Sequence, residues 1–555
     1  MSERTFFDTI NYWRNFIYFF LLHSVTYCTQ KDYKTSVSPF LFKIIDSLLV
    51  HFNVRTAHIE KEKNSIITES QTIAYLAIGM CVVNPKSSSP MLLTLLLILN
   101  IFEVFASQTD NPSEFLKSCL VPSFYSMEYF TVVNAKPTRE EEYDSIQQAI
   151  ENKEHFLFLS EGEFTIDEEI LIEGSNLLFI IGTSREKTIL TMTQEATSIF
   201  AIESSKNVII CNLTLDSHQA NKKYSLTDGE DSEEIYMASS ISCLDCEHIS
   251  LRNLIIFGSK LSPAIQFTSM KQVNYIDAFN GHDYFGHNNI IDHIHIETHD
   301  GLTTAIEFDL QKNGRLSNNV IVGTNGGINM FLNDNTECSF NQFIDVKVSS
   351  MEVKLPSRNI SLHNNKLTKI PNNGIMVTPM EDYDDISYGE PEYSPPSERL
   401  QEYKAENITI TNNFLHGSKF IGIEIAQTKN VMVTDNKITE VTNQGIFITD
   451  SDGAVIVNNY ISGDSEKETT SSGIYASGRI TNSDISNNSI LSGPKQSLKK
   501  AIMIDHDSSS FKNKVTMNLI SGHTIDEKMV DVNELSAIVQ NNFFDLLSFP
   551  ITRRM

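Results

Sequence analysis

The chain has 555 residues, 41% of them hydrophobic, and is therefore long enough to bury a large core. Its 43 basic and 70 acidic residues give a net charge of −27, which disfavours nucleic acid, anionic membranes and polyanionic sugars at long range. Seven scattered cysteines exclude a disulfide framework, although one bridge is compatible with their number. We therefore predict no nucleic-acid partner, and an anionic substrate would need a local basic groove or a bridging cation.

The first 107 residues differ in character from the rest. Apolar runs at 16–22, 72–83 and 91–106 are each shorter than the roughly 20 residues that span a bilayer, so we expect no stable membrane span. The third run has the length of a secretory apolar region and ends in small residues before a polar stretch. Segment 91–107 therefore predicts export, with the protein secreted, at the cell surface or periplasmic. A buried helical hairpin is the alternative.

From about residue 124 the chain reads as one short helix, Asp144 to Glu151, followed by alternating strands separated by turn residues. One phrase then recurs as LHNNKL, ITNNFL, VTDNKI, IVNNYI and ISNNSI. The intervals between the last asparagines of successive phrases are 48, 23, 23 and 29 residues. Three of the phrases are followed by a second one, GIMV, GIEI or GIFI, in strict alternation. These intervals predict a repeat protein built from short strands.

A unit of about 23 residues with three short strands cannot close a core alone, so successive units must stack. Coiling each unit into one turn places equivalent strands about 4.8 Å apart and aligns like residues in columns. The recurring asparagine fits a bend, where its amide can bond the amide in the next turn and its backbone tolerates left-handed angles. We therefore predict an all-β fold, a single-stranded parallel β-helix with an N-terminal capping helix.

The predicted organisation has four parts. Residues 1–107 form a separate, partly helical N-terminal region, 108–180 the cap and first strands, 181–545 the β-helix repeats, and 546–555 a C-terminal tail. Two insertions, 218–240 and 381–404, interrupt the repeats, and long loops on a stacked scaffold usually border a binding groove. Tyr383 and Tyr388 in the second insertion could stack on sugar rings. The alternative is a solvated acidic loop.

A dense group of titratable residues lies between 282 and 300. Five of the fifteen histidines fall there: His282, His287, His293, His295 and His299. Alternation places Ile294 and Ile296 inside the coil, so His293, His295 and Glu297 should point outward on one strand. Imidazoles with a carboxylate could ligate Zn²⁺ or Cu²⁺, or serve as acid and base near neutral pH. The alternative is the polar face of an ordinary strand.

Residues 124–545 resemble the right-handed parallel β-helix superfamily, which includes pectate lyases, polygalacturonases, mannuronan epimerases and NosD-type repeat proteins. The opening helix, followed by FLSEGEFTI and GTSREKTIL, is similar to the capped start of such proteins. The stretch NIIDH at 289–293, with Asp300-Gly301 after it, resembles a strand motif that precedes the calcium-binding turn of pectate lyases. Glu307 falls where that family often has a calcium-ligating carboxylate.

The resemblance has gaps at the level of chemistry. SPAI at 262–265 stands where pectate lyases carry an acid, and the Arg-rich motif that supplies their base is absent. Gly281-His282-Asp283 only approaches the Gly-His-Gly of polygalacturonases. Glu297 to Asp300, with Tyr284 upstream, loosely resembles the Asp-Pro-His element and tyrosine of mannuronan epimerases.

The resemblance implies a secreted polysaccharide-active protein, a lyase, epimerase or hydrolase acting on an acidic polysaccharide. We expect at least two of the histidines to share a cleft with Glu307 or Asp309. The candidate catalytic residues are His293, His295, His299 and Asp300. The candidate substrate-binding residues are His282, Asp283, Tyr284, His287, Tyr383 and Tyr388. The candidate cation ligands, for Ca²⁺ or for Zn²⁺ or Cu²⁺, are Glu297, Glu307 and Asp309. The alternative is a noncatalytic β-helix that binds glycans or cell surfaces.

Overall fold

A computed structural model describes most of the chain after residue 130. The described residues are 131–135, 145–193, 196–218, 223–225, 234–236, 239–259, 262–269, 286–298, 303–354, 356–379, 404–463, 472–491, 500–505, 512–522, 530–532 and 537–546. The predicted N-terminal region 1–107, with its export segment, lies outside this set. Among the described residues no helix is long and apolar enough to cross a membrane.

Three long parallel sheets, which we call A, B and C, wind around one core. Each turn of the coil contributes one strand to A, then one to B, then one to C, so neighbours in a sheet are successive turns of the chain. Sheet A has fifteen strands: Thr131–Val133, Phe156–Leu159, Leu178–Gly182, Val208–Cys211, Ser250–Arg252, Ile290–Asp292, Arg315–Ser317, Glu337–Ser339, Ser361–His363, Thr409–Thr411, Met432–Thr434, Val455–Val457, Asp484–Ser486, Asn513–Thr516 and Ala537–Gln540.

Sheets B and C complete the coil. Sheet B has fourteen strands: Gly162–Ile166, Thr188–Met192, Thr214–Asp216, Ile255–Phe257, His295–Glu297, Val320–Val322, Gln342–Ile344, Lys366–Thr368, Phe414–His416, Lys437–Val441, Tyr460–Gly463, Ser489–Leu491, Leu519–Gly522 and Phe543–Leu546. Sheet C has thirteen strands: Ile170–Glu173, Phe200–Glu203, Ile241–Leu244, Ile265–Thr268, Thr304–Phe308, Gly326–Phe331, Ser349–Lys354, Asn373–Thr378, Ile421–Ala426, Gln444–Thr449, Ser472–Ser477, Lys500–Ile504 and Val530–Val532.

The remaining elements are short. Three two-stranded pairs are Lys223–Ser225 with Glu234–Tyr236, Gly286–His287 with Gln311–Lys312, and Ala405–Glu406 with Thr428–Lys429. The one helix among the described residues, Ile146–Glu151, begins where Ser145 Oγ accepts a hydrogen bond from the Gln148 N–H. Its buried Ile146 and Ala149 join the core at the first turns. The predicted cap is therefore confirmed, with the helix two residues shorter at its start.

The interior is filled by columns of aliphatic side chains. In sheet C one such column is made of Ile306, Ile328, Met351, Ile375 and Ile423, each at most 1% exposed. The residue before each is small, because the coil is narrow there. At Gly422 an added Cβ would lie 2.6 Å from the Gly445 carbonyl oxygen and 2.7 Å from Ile438 Cγ2. The GI phrases therefore mark the inward side of sheet C.

From the strand Val208–Cys211 onwards, the corner between sheets A and B is two residues long. The second residue of this corner carries the predicted ladder of buried side-chain amides. Asn436 Nδ2 donates to Asn459 Oδ1 at 3.0 Å and to the Ile410 carbonyl at 2.8 Å. Asn436 Oδ1 in turn accepts from the backbone and side-chain nitrogens of Asn413, at 2.9 and 3.0 Å. The same bonds run through Asn319, Asn341, Asn365, Asn413, Asn436, Asn459, Asn488, Asn518 and Asn542.

The left-handed backbone angle belongs to the other residue of the corner. The residue before the ladder asparagine has a positive φ, for example 55° at Asn412 and 59° at Asn458. The sequence analysis predicts both roles for one asparagine, and the structure divides them between the two. The exposed residue makes the bend, because Asn, Asp and Gly tolerate this region, and the buried residue makes the ladder.

The insertions lie on the connections that enter or leave sheet C. After the first strand of that sheet, each internal segment outside the described residues falls on such a connection. This includes the parts of 218–240 and 381–404 that fall outside the described set. No insertion occurs at the corner between A and B along the asparagine ladder, because an extra residue there would break the ladder. Length variation is therefore confined to the two edges of sheet C.

A column of charged residues runs along the corner between sheets C and A. Successive turns place these residues in register with alternating sign: Lys312, Asp334, Arg358, Glu406, Lys429 and Asp452. Arg358 lies 3.0 Å from Asp334 and Lys429 lies 3.3 Å from Glu406. The Lys429–Glu406 pair is half-exposed and contributes little by itself, whereas Asp334 is largely buried beside the half-exposed Arg358. Together the pairs favour one register of stacking.

Replacing Asn436 by Leu tests the ladder. We expect the substitution to lower the free energy of unfolding by about 1–3 kcal/mol, since it leaves buried amide groups of Asn413 and Asn459 without their partners. Urea unfolding followed by circular dichroism measures this loss. Asn412→Gly, at the exposed left-handed position, is the control and should change stability by only a few tenths of a kcal/mol. Equal losses in the two variants would contradict a specific role for the buried amides.

Candidate functional site

The outer face of sheet C carries one continuous column of half-buried side chains. Register pairing between successive strands aligns Gln266, Glu307, Asn329, Glu352, Met376, Glu424, Phe447, Tyr475, Met503 and Asp531. Each residue follows an inward-facing residue of the core, so alternation turns it outward. We call this set the sheet C column.

Two carboxyl groups stand together in this region. Glu307 belongs to the sheet C column, and Asp309 follows it by two residues, directly after the strand ends at Phe308. Glu307 Oε2 accepts a hydrogen bond of 3.0 Å from Gln266 Nε2. Asp309 Oδ1 accepts one of 3.0 Å from the Phe331 backbone N–H. The Glu307–Asp309 pair, which we call the acid pair, is therefore held by hydrogen-bond donors from the preceding and the following turn.

Both carboxyl groups hold their protons more tightly than usual. Burial raises the pKa of Glu307, and the hydrogen bond from Gln266 and the charge of Lys354 only partly oppose it. Burial also raises the pKa of Asp309 well above its ordinary range, and the negative charges of Glu307 and Glu352 raise it further. Because the two groups interact, the pair titrates as a unit and retains a proton at a pH where an isolated carboxyl is ionised.

The next two turns complete the polar group. Asn329 is in register with Glu307, and Glu352 is in register with Asn329. Asn329 Oδ1 is enclosed by protein and has no hydrogen-bond partner among the described residues. Lys354, on the same side of its strand as Glu352, is the positive charge that opposes the raised pKa values of both members of the pair.

The sheet C column becomes aromatic further along the coil. The rings of Phe447 and Tyr475 lie 5.4 Å apart at an angle of 32°. Tyr475 donates from its hydroxyl to Asp505 Oδ2 at 2.8 Å. Burial and this bond to Asp505 raise the pKa of Tyr475. The two rings, which we call the aromatic step, present a partly exposed apolar surface on the same face as the acid pair.

Within residues 282–300, which we call the histidine segment, the part that carries His293 and His295 lies away from the outer face of sheet C. His293 occupies the first corner position between sheets A and B, with φ 54°, where most later turns carry Asn or Asp. His293 Nδ1 lies 2.9 Å from Asp292 Oδ2, and Asp292 Oδ1 accepts from Ser317 Oγ at 2.7 Å and Asn318 Nδ2 at 2.9 Å. The bend therefore explains on structural grounds why a histidine can occupy position 293, since histidine is enriched in this backbone region.

The Asp292 carboxylate is stabilised in its ionised form. Burial of this group would raise its pKa, but the hydrogen bond from His293, the charges of His293 and Arg252, and the bond from Asn318 hold the pKa well below its usual range. Its side chain is only 7% exposed, against 39% for His293. The Asp292–His293 pair therefore orients an accessible imidazole through its Nδ1 atom.

His295 and Glu297 point outward from sheet B, as predicted. Their side chains are 35% and 29% exposed, while Ile294 and Ile296 are buried. His295 Nε2 lies 3.7 Å from Glu297 Oε2. Neither residue shares the sheet C column, so Glu297 lies on a different sheet from Glu307. The expected cleft between these histidines and the acid pair stays a prediction.

His287 lies at the corner that follows sheet C. It pairs with Lys312 in the two-stranded ladder at the corner after sheet C, one residue beyond the Gly286 N–H that donates to the Leu310 carbonyl. The other candidate residues, His282, Asp283, Tyr284, His299, Asp300, Tyr383 and Tyr388, lie outside the described residues.

Sequence reasoning missed most of the sheet C column. It does not select Glu352, Lys354, Phe447 or Tyr475, although a signal for three of them is present. The third residue of each of the phrases AIEF, SMEV, GIFI and GIYA is the outward one. Aligning these phrases by that position brings Glu307, Glu352, Phe447 and Tyr475 into one column.

The described residues do not contain a metal site of the predicted kind. No group of three or more His, Cys, Asp or Glu side chains within them is arranged to hold a metal ion. The predicted ligand set Glu297, Glu307 and Asp309 is divided between sheets B and C, and Gln266 and Lys354 already supply a donor and positive charge to the acid pair. Cation binding at these carboxylates stays a prediction.

Asp292→Asn tests the buried carboxylate. We expect the free energy of unfolding at pH 7 to fall by about 2 kcal/mol, because the hydrogen bonds to a charged group are lost. A lowered pKa stabilises the fold above the ordinary aspartate pKa, about 3.9, and this contribution disappears as the pH falls through the folded value. The deficit should therefore shrink as the pH falls below about 4 in urea titrations. Asp435→Asn, at an exposed corner position, should show little deficit at any pH.

Asp309→Asn should have the opposite effect. A raised pKa means that the folded state loses stability as the pH rises above the unfolded value of about 3.9 towards the higher folded value. The amide cannot ionise, so we expect the variant to unfold at a higher temperature than the wild type at pH 7 and to lose that advantage near pH 4. Glu337→Gln on the outer face of sheet A is the control. A variant that is less stable at both pH values would show that Asp309 is not a strained acid.

Comparison with known proteins agrees with this architecture. Residues 396–546 match the family described as periplasmic copper-binding protein (NosD). Within the described part of that segment there is one histidine, His416, and the chain has no cysteine after Cys338. A search of curated protein sequences finds no match.

Several solved structures are similar to this chain. The N-terminal fragment of gene product 12 of bacteriophage Phi29 has a TM-score of 0.51 at 14% identity, covering 73% of this chain and 68% of that one. The mannuronan C-5 epimerase AlgE6 A-module of Azotobacter vinelandii has a TM-score of 0.48 at 12% identity, covering 72% and 93%. The periplasmic alginate epimerase AlgG has a TM-score of 0.42 at 9% identity, covering 75% and 84%. The chain is thus a right-handed parallel β-helix protein, as its sequence predicted.

Proposed function

We propose that the protein is a carbohydrate-active enzyme and that the Glu307–Asp309 pair is its proton donor. The observation that carries this proposal is the buried carboxyl pair on the outer face of sheet C, in which the pKa of each group is raised. Cleavage of a glycosidic bond needs a carboxyl group that is still protonated near neutral pH and a second carboxylate close by. Glu352 is that second group in our proposal.

The proposed reaction is hydrolysis. The acid pair donates its proton to the glycosidic oxygen as the bond from that oxygen to the anomeric carbon breaks. Glu352 takes a proton from a water molecule, and the water oxygen bonds to the anomeric carbon. Glu352 is two strands from Glu307, so their backbones are separated by about 9.6 Å. This spacing is of the order of the carboxyl separation in glycosidases that activate a water directly.

A carboxyl pair that acts as a proton donor is better suited to hydrolysis than to a lyase or epimerase reaction. Lyases and epimerases of uronates start by removing a proton from the carbon beside a carboxylate, which requires a base. A carboxyl pair that retains its proton is poorly suited to that first step. The Asp292–His293 pair could supply a base, but it lies at the corner between sheets A and B. The same proposal places the protein outside the cytoplasm, supported by the apolar segment 91–107 and by the periplasmic description of the NosD family.

A panel of polysaccharides tests the activity. The full-length protein is incubated with neutral glucans, galactans and xylans and with pectate, alginate and glycosaminoglycans, with and without Ca²⁺, Zn²⁺ or Cu²⁺. New reducing ends are measured together with the absorbance of unsaturated products. We expect reducing ends without unsaturation, and a loss of turnover of roughly 10²-fold or more in Asp309→Asn and Glu352→Gln.

Two variants serve as controls, and their results also distinguish the alternative functions. Glu337→Gln, which changes a carboxylate on the outer face of sheet A, should leave turnover unchanged. His293→Ala should also retain activity if the acid pair is the reaction centre. Unsaturated products that depend on His293 and not on Asp309 would move the reaction to the histidine segment and contradict hydrolysis. Binding without turnover on every substrate would favour the noncatalytic glycan-binding role, which the aromatic step independently supports.

A further inference from the structure

We propose that the aromatic step formed by Phe447 and Tyr475 is a remote sugar-binding subsite, and that the substrate is a linear, neutral glycan lying along sheet C. This inference rests on the proposed function for placing the glycan on this face. It adds the direction of the glycan, its minimum length and its charge.

The direction follows from the register. The acid pair and the aromatic step belong to one column, and five strand spacings separate Glu307 from Phe447. At about 4.8 Å per spacing the separation is about 24 Å. A pyranose ring in an extended chain is about as long as one spacing, so successive sugars can follow successive turns. A glycan must then have about six sugars to contact both places.

The aromatic step has the chemistry of a sugar platform. The rings of Phe447 and Tyr475 are partly exposed and close together, and an aromatic face can cover the C–H face of a pyranose. The hydrogen bond from Tyr475 to Asp505 fixes the tyrosine hydroxyl and holds a carboxylate beside the ring. That carboxylate accepts hydrogen bonds from sugar hydroxyl groups.

The charge of this face disfavours a polyuronate. From the strand that begins at Ile265 onwards, the described outer face of sheet C carries six carboxyl groups and two ammonium groups. The carboxyl groups are Glu307, Asp309, Glu352, Glu424, Asp505 and Asp531, and the ammonium groups are Lys354 and Lys500. Lys500 is already paired with Asp531 at 2.9 Å. Even with one proton held by the Glu307–Asp309 pair, the carboxylates outnumber the two ammonium groups. A uronate at each turn would therefore face a net negative surface within a chain of net charge −27.

The test measures binding separately from turnover. Full-length Asp309→Asn is used as the parent, so that polysaccharides bind without being cleaved, and affinity electrophoresis gives dissociation constants. Phe447→Ala and Tyr475→Ala should each weaken binding of neutral polysaccharides by about tenfold. Tyr475→Phe keeps the ring and should bind nearly as well as the parent. Phe414→Ala, which removes a ring from the outer face of sheet B, is the matched control and should have no effect.

Chain length gives a second readout in the wild-type background. Phe447→Ala should lower kcat/KM for oligosaccharides of about six or more sugars and leave the value for trisaccharides unchanged. Tighter binding of pectate or alginate than of every neutral glycan at physiological salt would overturn the inference, as would unchanged binding in both alanine variants. Either result is compatible with full Asp309-dependent turnover. The inference about the sugar-binding subsite would then be overturned, and the proposed function would stand. Ring-dependent binding without turnover would overturn the catalytic proposal alone.

Discussion

The fold depends on the two-residue corner between sheets A and B. Its buried asparagine bonds the equivalent asparagine in the next turn through one amide, and its exposed partner takes the left-handed angle that turns the chain. A buried amide with both ends satisfied tolerates neither an extra residue nor an apolar replacement. All turns along the ladder must therefore enter sheet B in the same register, and the columns on every face follow from that.

This constraint also decides where chemistry can be placed. Since the corner between A and B has a fixed length along the ladder, insertions occur at the edges of sheet C. On the outer face of that sheet, burial raises the pKa of Glu307 and Asp309. Beside the corner between sheets A and B, Asp292 has enough donors to hold its pKa low and remain ionised despite its burial. One scaffold thus holds a carboxyl group as an acid on one face and as an anion on another.

The sequence was sufficient to predict the coil because its signals are local. The phrases that contain the ladder asparagines mark the corner between A and B, and the GI phrases mark the inward side of sheet C. The candidate reaction centre was harder to predict, because Gln266, Glu307 and Glu352 come from three turns and meet only when the register is known. His293 shows a different difficulty. Its position beside other histidines suggested chemistry, whereas its positive φ shows that the bend itself favours this residue.

The charged column at the corner between sheets C and A restricts how such a coil can evolve. From Lys312 to Asp452 its signs alternate from one turn to the next, so opposite charges meet at each spacing of about 4.8 Å. Duplication of a single repeat in the gene would place two like charges in contact, for example two copies of Lys429. Duplication of two consecutive repeats would preserve the alternation. This lineage should therefore gain or lose turns in pairs, and a designed longer version should be built from two-turn modules.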